Sequence, residues 1–314
     1  MPSKATSLWS PDRRSSLHSF ARGGLKTSVR KLQPDKPRGA LRVRGRVLPW
    51  GARTYLMGVV NVTPDSFSGD GRVDADDAIA YALAQAAASA DLLDIGAQST
   101  RPGYKPVSTD VEQKRLIPVI QGVRARLRDA ILSVDTFNAA VAGAASAAGA
   151  DILNSIWGLP NDLLEVALAH GMPIAIMHNK EVPVYEGNVV DEVLAFLNAA
   201  AQRAIAAGVP PEHVILDPGI GFGKLAEHNV AMLGGLKRLV ALGFPTLVGT
   251  SRKSTIGKLT AREPHERAFG TAATVALAIA AGVDVVRVHD VREMRDVIDV
   301  CDAIERGWRP DGWT

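Results

Sequence analysis

The sequence predicts an α/β fold: a (β/α)8 barrel over residues 41–310 behind a basic leader at 1–40. Short β-branched runs alternate with Ala-rich stretches in a regular beat, the pattern of repeated βα units on a parallel sheet. The beat repeats eight times, which favours a closed barrel over an open doubly wound sheet. Polar groups follow all eight runs at the same end, where barrel enzymes carry their chemistry.

The first element is a hairpin. Leu41-Arg42-Val43-Arg44-Gly45-Arg46-Val47-Leu48 alternates apolar and polar residues about a central glycine, and it is placed to cap the lower end of the barrel. The barrel strands are then read at Tyr55–Val62, Asp91–Gly96, Ile131–Val134, Asp151–Asn154, Met172–Met177, His213–Leu216, Pro245–Gly249 and Val283–Val288. Helices follow them, among them Ala75–Ala90, Asn138–Gly149, Val189–Ala207, Glu227–Leu242, Ala268–Gly282 and Arg292–Arg306. Gly149, Gly208 and Gly282 stand as helix stops, because glycine accepts the left-handed backbone that ends a helix.

Of the 314 residues, 46% are hydrophobic and 22% charged, enough to bury a large core, which excludes disordered and collagen-like classes for the chain as a whole. The net charge of +3 is unevenly spread. Residues 1–53 hold 13 Lys or Arg against Asp12 and Asp35, a balance of +11, which leaves −8 for residues 54–314. The barrel is therefore acidic and, without aromatic and basic interleaving, a poor candidate for nucleic-acid binding. The leader, rich in Ser, Arg and Pro, is predicted to be disordered; a targeting segment, an early start codon and a nucleic-acid tail would share its composition. No apolar run approaches the ~20 residues that span a bilayer. The lone Cys301 cannot form an intramolecular disulfide, so a cytoplasmic address is the expectation and Cys301 is read as structural.

The strand ends carry a consistent set of groups. Asn61 leads into Thr63-Pro64-Asp65-Ser66-Phe67-Ser68, and Asp94 into Gly96-Ala97-Gln98-Ser99-Thr100-Arg101-Pro102-Gly103. Asp135-Thr136, Asn154-Ser155 and Met177-His178-Asn179-Lys180 follow the next three strands. Asp217-Pro218-Gly219-Ile220-Gly221-Phe222-Gly223-Lys224, Ser251-Arg252-Lys253-Ser254 and Arg287-Val288-His289-Asp290 complete the ring. Asp, Asn and Ser after a strand also serve as turn formers and helix caps. Caps lie outside strands, however, whereas Asn154 and Arg287 lie inside apolar runs. Asp135, Asn154, Asp217 and Lys253 offer acceptors and donors to a flat heterocycle. Arg287 and His289, with Ser251 expected to open a helix, occupy the region where barrels bind phosphate.

Together Asn61 to Ser68, Asp94 to Gly103, Asp217 to Lys224, Ser251 to Ser254 and Arg287 to Val291 resemble the signature set of the dihydropteroate synthases, over about Leu41 to Glu305. The resemblance implies condensation of a pterin diphosphate with 4-aminobenzoate, with release of pyrophosphate. It implies that Asn61 holds Mg2+ on the diphosphate, that Asp94, Asp135, Asn154, Met177, Asp217, Lys253 and Arg287 bind the pterin, and that Arg287, His289, Thr100 and Arg101 meet the diphosphate. Phe67, Thr100, Arg101, Phe222 and Ser251 would receive the aminobenzoate. Asp217, Lys253, Arg287 and Asp135 are the expected catalytic set, and a homodimer through outer helices near the chain's end is expected as well.

The chain departs from the family pattern at Gln98, where a glutamate is usual, at Ser155 for aspartate, at Asn179 for methionine, and in the order Gly69-Asp70. These changes sit beside the pterin positions, where they bear on aminobenzoate binding and through it on the response to sulfonamides. Two rivals share the pattern: a catalytically silent pterin-binding homologue, and a pterin-dependent methyltransferase serving a corrinoid. The motifs at Thr63–Phe67, Ser251–Lys253 and Arg287–Asp290 weigh against the second.

Overall fold

Each barrel strand is sorted by its alternation into an inward and an outward face, and the two faces build two separate cores. The computed structural model describes residues 39–63, 74–98, 107–310 and 312. The hairpin is β1 (Ala40–Val43) and β2 (Arg46–Pro49), with Arg44 and Gly45 both at positive φ in the turn, as a two-residue hairpin with right-handed strand twist requires. The barrel strands follow: β3 (Tyr55–Asn61), β4 (Leu92–Gly96), β5 (Ile131–Asp135), β6 (Ile152–Ser155), β7 (Ile174–Met177), β8 (Val214–Asp217), β9 (Leu247–Val248) and β10 (Val285–Val288).

All eight pair in parallel in the spatial order β8-β7-β6-β5-β4-β3-β10-β9. A parallel bridge between Leu216 and Thr246, with the Leu216 amide donating to Pro245 at 2.9 Å, closes the ring. Helices α1 (Ala75–Ala87), α2 (Thr109–Arg126), α3 (Ala139–Ala148), α4 (Asn161–His170), α5 (Val189–Ala206), α6 (Ala226–Gly234), α7 (Leu236–Val240), α8 (Ser254–Thr260), α9 (Ala268–Ala280) and α10 (Val291–Glu305) lie outside. Among the described residues, no helix is long and apolar enough to cross a membrane.

Outward residues such as Leu93, Ile95, Leu132, Val134, Ile174, Ile176, Val286 and Val288 pack against the helices in the larger core. Inward residues Tyr55, Met57, Leu92, Ile131, Ile152, Ala175, Ile215, Leu247 and Val285 form a second, smaller core in the lower half of the barrel. The hairpin completes that core, because Leu41, Leu48 and Trp50 bury against it. Trp50 meets Tyr55 edge to face at 5.8 Å and its indole N–H donates to the Glu212 carbonyl at 2.9 Å. The barrel therefore has an apolar floor, and the next inward layer is free to be polar.

Most elements shift by one to three residues at an end, and two differ more from the sequence reading. The helix expected over Glu227–Leu242 is two helices that meet at Gly234 and Gly235. Adjacent glycines weaken a helix interior, and a Cβ on Gly235 would stand 2.8 Å from Val190 of α5, so the close packing of α5 requires the residue that breaks the helix. The seventh barrel strand is only Leu247–Val248 rather than Pro245–Gly249, since proline has no N–H for the ladder and Gly249 lies where the chain turns towards the loop.

Candidate active site

One step up the inward alternation from the floor, each apolar residue gives way to a polar or functional one: Leu92 to Asp94, Ile131 to Ser133 and Asp135, Ile152 to Asn154, Ala175 to Met177, Ile215 to Asp217, Val285 to Arg287. The register puts these side by side, with Asp135 opposite both Gly96 and Asn154, and Asp217 opposite Met177. Gly96 matters for space, because a Cβ there would stand 3.2 Å from that of Asp135.

The alternative reading of these residues as helix caps fails. Asp74, Ser108, Asn138 and Asn188 cap α1, α2, α3 and α5 with side-chain hydrogen bonds. Asp135 lies three residues before Asn138 and is left to face the barrel mouth.

Arg287 spans the mouth. Its Nε donates to Asp94 at 2.6 Å and its Nη2 to Asp135 at 3.1 Å, while Asn154 Nδ2 donates to the same Asp94 oxygen at 3.0 Å. The outer oxygens Asp94 Oδ1 and Asp135 Oδ1, and the Ser133 hydroxyl, are buried without a hydrogen-bond partner among the described residues. An unmet buried acceptor costs ~1–3 kcal/mol, so three together in one cup are a demand for a ligand rich in N–H groups.

Burial, and then the neighbouring Asp94 carboxylate, hold the Asp135 carboxyl well above the usual range, with Arg287 opposing them. Burial also raises Asp217, against the pull of Lys253 and the Gly219 amide, which donates to Asp217 Oδ1 at 2.8 Å. Lys253 is pushed down to about 8 by burial, opposed by Asp217. Its Nζ sits 4.5 Å over the Phe222 ring and donates to the Ile220 carbonyl. A cation, an aromatic face and a carboxylate thus converge beside the cup.

Ser251 is placed differently from the sequence reading. The helix it was expected to open, α8, starts at Ser254. The Ser251 hydroxyl instead accepts the His289 amide at 3.1 Å and meets His289 Nδ1 at 3.0 Å, tying the ends of β9 and β10 together. Arg252 bonds Asp290 through Nε at 3.0 Å and closes the same seam. Asn61 ends β3 at the rim, half-buried. Phe67, Thr100 and Arg101 lie outside the described residues. Of the departures, Ser155 is fully buried, Gln98 Nε2 has no partner among the described residues, and the Asn179 side chain accepts the Lys180 amide at 2.8 Å.

Three residues at the site, Lys224, His178 and Glu112, had no role in the sequence reading. Lys224 Nζ lies 2.9 Å from His178 Nδ1 and 3.1 Å from the carbonyls of Gly219 and Phe222; burial pushes the lysine down to about 7 and the imidazole to about 3. Glu112 of α2, raised by burial, accepts the Thr136 hydroxyl at 2.6 Å directly behind Asp135. Lys224, His178 and Thr136 stand inside the strand-end motifs read from the sequence, but nothing local gave them a role; Glu112 carried no signal.

Comparison with known proteins agrees with this geometry. A family model described as pterin binding enzyme matches residues 57–289. The dihydropteroate synthase of Synechocystis sp. is 46% identical over 270 residues, 83% of this chain and 92% of that protein. Among solved structures, the Yersinia pestis dihydropteroate synthase in a sulfonamide drug complex superposes with a TM-score of 0.80 at 37% identity, covering 84% of this chain and 98% of that one. The Thermus thermophilus dihydropteroate synthase in complex with 4-aminobenzoate gives 0.75 at 42%, over 84% and 99%.

Proposed function

The chain belongs to the dihydropteroate synthase family of pterin-binding enzymes, and from that premise we propose that it condenses 6-hydroxymethyl-7,8-dihydropterin diphosphate with 4-aminobenzoate to give 7,8-dihydropteroate and pyrophosphate. The observation that carries the reading is the polar cup over an apolar floor, in which buried carboxylate oxygens of Asp94 and Asp135 await N–H donors beside Asn154, Asp217 and Arg287. An aminopterin ring presents such donors along one edge.

In this reading the bond from the exocyclic methylene to the diphosphate oxygen breaks first, and the pair of electrons leaves with the diphosphate. The buried Asp217 and its neighbours stabilise the cationic pterin. The aromatic amine, lying on Phe222 beside Lys253, adds its nitrogen lone pair to the methylene and then loses a proton. No general base is obligatory, because the cation is the stronger party in that addition. Arg287 and His289 face the departing anion. Arg287 bonds Asp94 and Asp135, so reaching the ring face and the diphosphate requires it to exchange at least part of those bonds. The Ser251 hydroxyl is shared with His289, and it reaches an aminobenzoate carboxylate only in exchange for that contact.

Asn61 would hold Mg2+ on the diphosphate. Among the described residues no three His, Cys, Asp or Glu side chains gather to hold a metal, whereas a lone amide oxygen at the rim suits magnesium, which keeps most of its water and takes further oxygens from phosphates. When bound, the ion would neutralise charge on the leaving group. Dimerisation is supported by the outer faces of α9 and α10, which expose Phe269, Leu277, Val300 and Ile304, a patch whose simplest occupant is a second copy of the same surface. Val297 is partly buried against the barrel core instead.

The test is to incubate the protein with the pterin diphosphate, Mg2+ and 4-aminobenzoate, following pyrophosphate and dihydropteroate together, with and without a sulfonamide. Stoichiometric appearance of both products supports the reading. Pterin binding with neither product would assign the chain to a silent homologue. Weakened sulfonamide inhibition would tie the Gln98, Ser155 and Asn179 departures to the aminobenzoate side.

A further inference from the structure

The segment after β8 carries Phe222 at its tip and has little stiffness of its own. Gly219, Gly221 and Gly223 all take positive φ, +67°, +83° and +54°, so three of its five residues are glycines in the left-handed region. Such a segment keeps one shape only if something outside its backbone holds it.

Lys224 does so. Its ammonium has three N–H groups, and around it stand His178 Nδ1 at 2.9 Å, the Gly219 and Phe222 carbonyls at 3.1 Å, and the His178 carbonyl at 3.5 Å. The acceptors belong to the two loops that follow the neighbouring strands β7 and β8. His178 is itself buried and walled by Phe196, edge to face at 5.0 Å, and by the stacked ring of Tyr185 at 6.2 Å. It is a fixed partner. Other ties act beside it: the Tyr185 hydroxyl donates to the Gly223 carbonyl at 2.8 Å, the Gly221 amide donates to Asn229 Oδ1 at 2.7 Å, and Lys253 Nζ donates to the Ile220 carbonyl. Lys224 therefore grips the carbonyl of the very residue whose ring lies under Lys253.

We infer that Lys224 is a positioning residue for the second substrate: by donating to the Gly219 and Phe222 carbonyls, with His178 in contact behind it, it holds the Phe222 ring where the aromatic amine docks. The inference rests on the reading above that Phe222 and Lys253 seat the aminobenzoate. Lys224 touches neither substrate in this account, and its effect falls on one substrate more than the other, because the pterin cup stands on strand residues that Lys224 does not bond.

Lys224→Met keeps the length of the side chain and removes the ammonium. Loss of hydrogen bonds from a charged donor is expected to raise KM for 4-aminobenzoate about tenfold or more, while KM for the pterin diphosphate stays within about twofold. Lys224→Arg is expected to recover part of the loss. Unchanged KM for aminobenzoate in a folded Lys224→Met protein would overturn the inference, as would an equal shift in both KM values that simply tracks a lower melting temperature. A second measurement is independent of turnover: 4-fluorophenylalanine at position 222 should give one sharp 19F resonance in the parent chain and a shifted, broadened or divided one in Lys224→Met. Identical spectra would also overturn it. If the parent chain makes no dihydropteroate the proposed function fails, and the 19F comparison still decides the role of Lys224.

Discussion

Replacing Arg287 by methionine removes the one guanidinium that bridges Asp94 and Asp135, and the consequence depends on pH in a direction the geometry sets. The side chains are 19%, 0% and 14% exposed, so the ion pairs are largely dry. Deleting one partner of a buried pair typically costs ~3–5 kcal/mol, because the remaining charges stay buried without compensation. At about 2–4 °C per kcal/mol for a domain of this size, the melting temperature should fall by roughly 6–20 °C. Part of that deficit is relieved by a proton. Asp135 is already raised by burial and by Asp94, and loss of the opposing Arg287 raises it further. A carboxyl whose folded pKa exceeds its unfolded value keeps its proton longer in the folded chain, so stability is lost as pH rises from the unfolded pKa to the folded one. Each pKa unit that the substitution adds deepens the deficit at high pH by about 1.4 kcal/mol. Differential scanning calorimetry of both proteins at pH 6 and pH 8.5 should therefore give a larger melting deficit for Arg287→Met at pH 8.5. An equal deficit at the two values, or a larger one at pH 6, would refute the coupling of Arg287 to a proton on Asp135.

Three further outcomes follow from the same structure. Asp217→Ala removes the buried carboxylate assigned to the cationic pterin; at ~1.5–3 kcal/mol per hydrogen bond to a charged group, two such bonds predict a loss of roughly 10²–10⁴ in kcat/KM, and near-normal pyrophosphate release would sink the assignment. Gly219→Ala places a Cβ 1.9 Å from the His178 carbonyl oxygen at a φ of +67°, a backbone clash that cannot be relieved by a rotamer, so thermal melting should show a loss of about 2–5 kcal/mol with turnover falling as Asp217 shifts. Trp50→Ala opens the floor on the far side from the cup; it should cost ~3–5 kcal/mol in denaturant unfolding yet leave both KM values within about twofold well below the melting temperature, and a large KM change would contradict the separation of floor from cup.

What the sequence made legible is what depends on period two. Asp94, Asp135, Asn154, Asp217 and Arg287 each stand an even number of residues above an inward floor residue, so reading eight strands was enough to place all five in one mouth. The hairpin was legible for the same reason: Leu41 and Leu48 pair on the face turned to the floor, while Arg42 and Val47, opposite each other one step on, face solvent. Pairings across long stretches of chain were not. Arg287 meets Asp94 and Asp135 at separations of 193 and 152 residues, and Lys224 meets His178 across 46, distances at which no local periodicity operates. The double glycine at Gly234 and Gly235 was a local signal, outweighed by an amphipathic run that continued on either side. Lys224 was hidden for a different reason, since a lysine beside a glycine-rich loop reads as an ordinary solvated charge until three carbonyls are found around it. The residues proposed to meet a ligand could be named from strand ends alone. The residues that hold those in place are scattered through loops and neighbouring helices, because a barrel fixes the direction of each strand end but leaves the path of each loop to be set by contacts with the next.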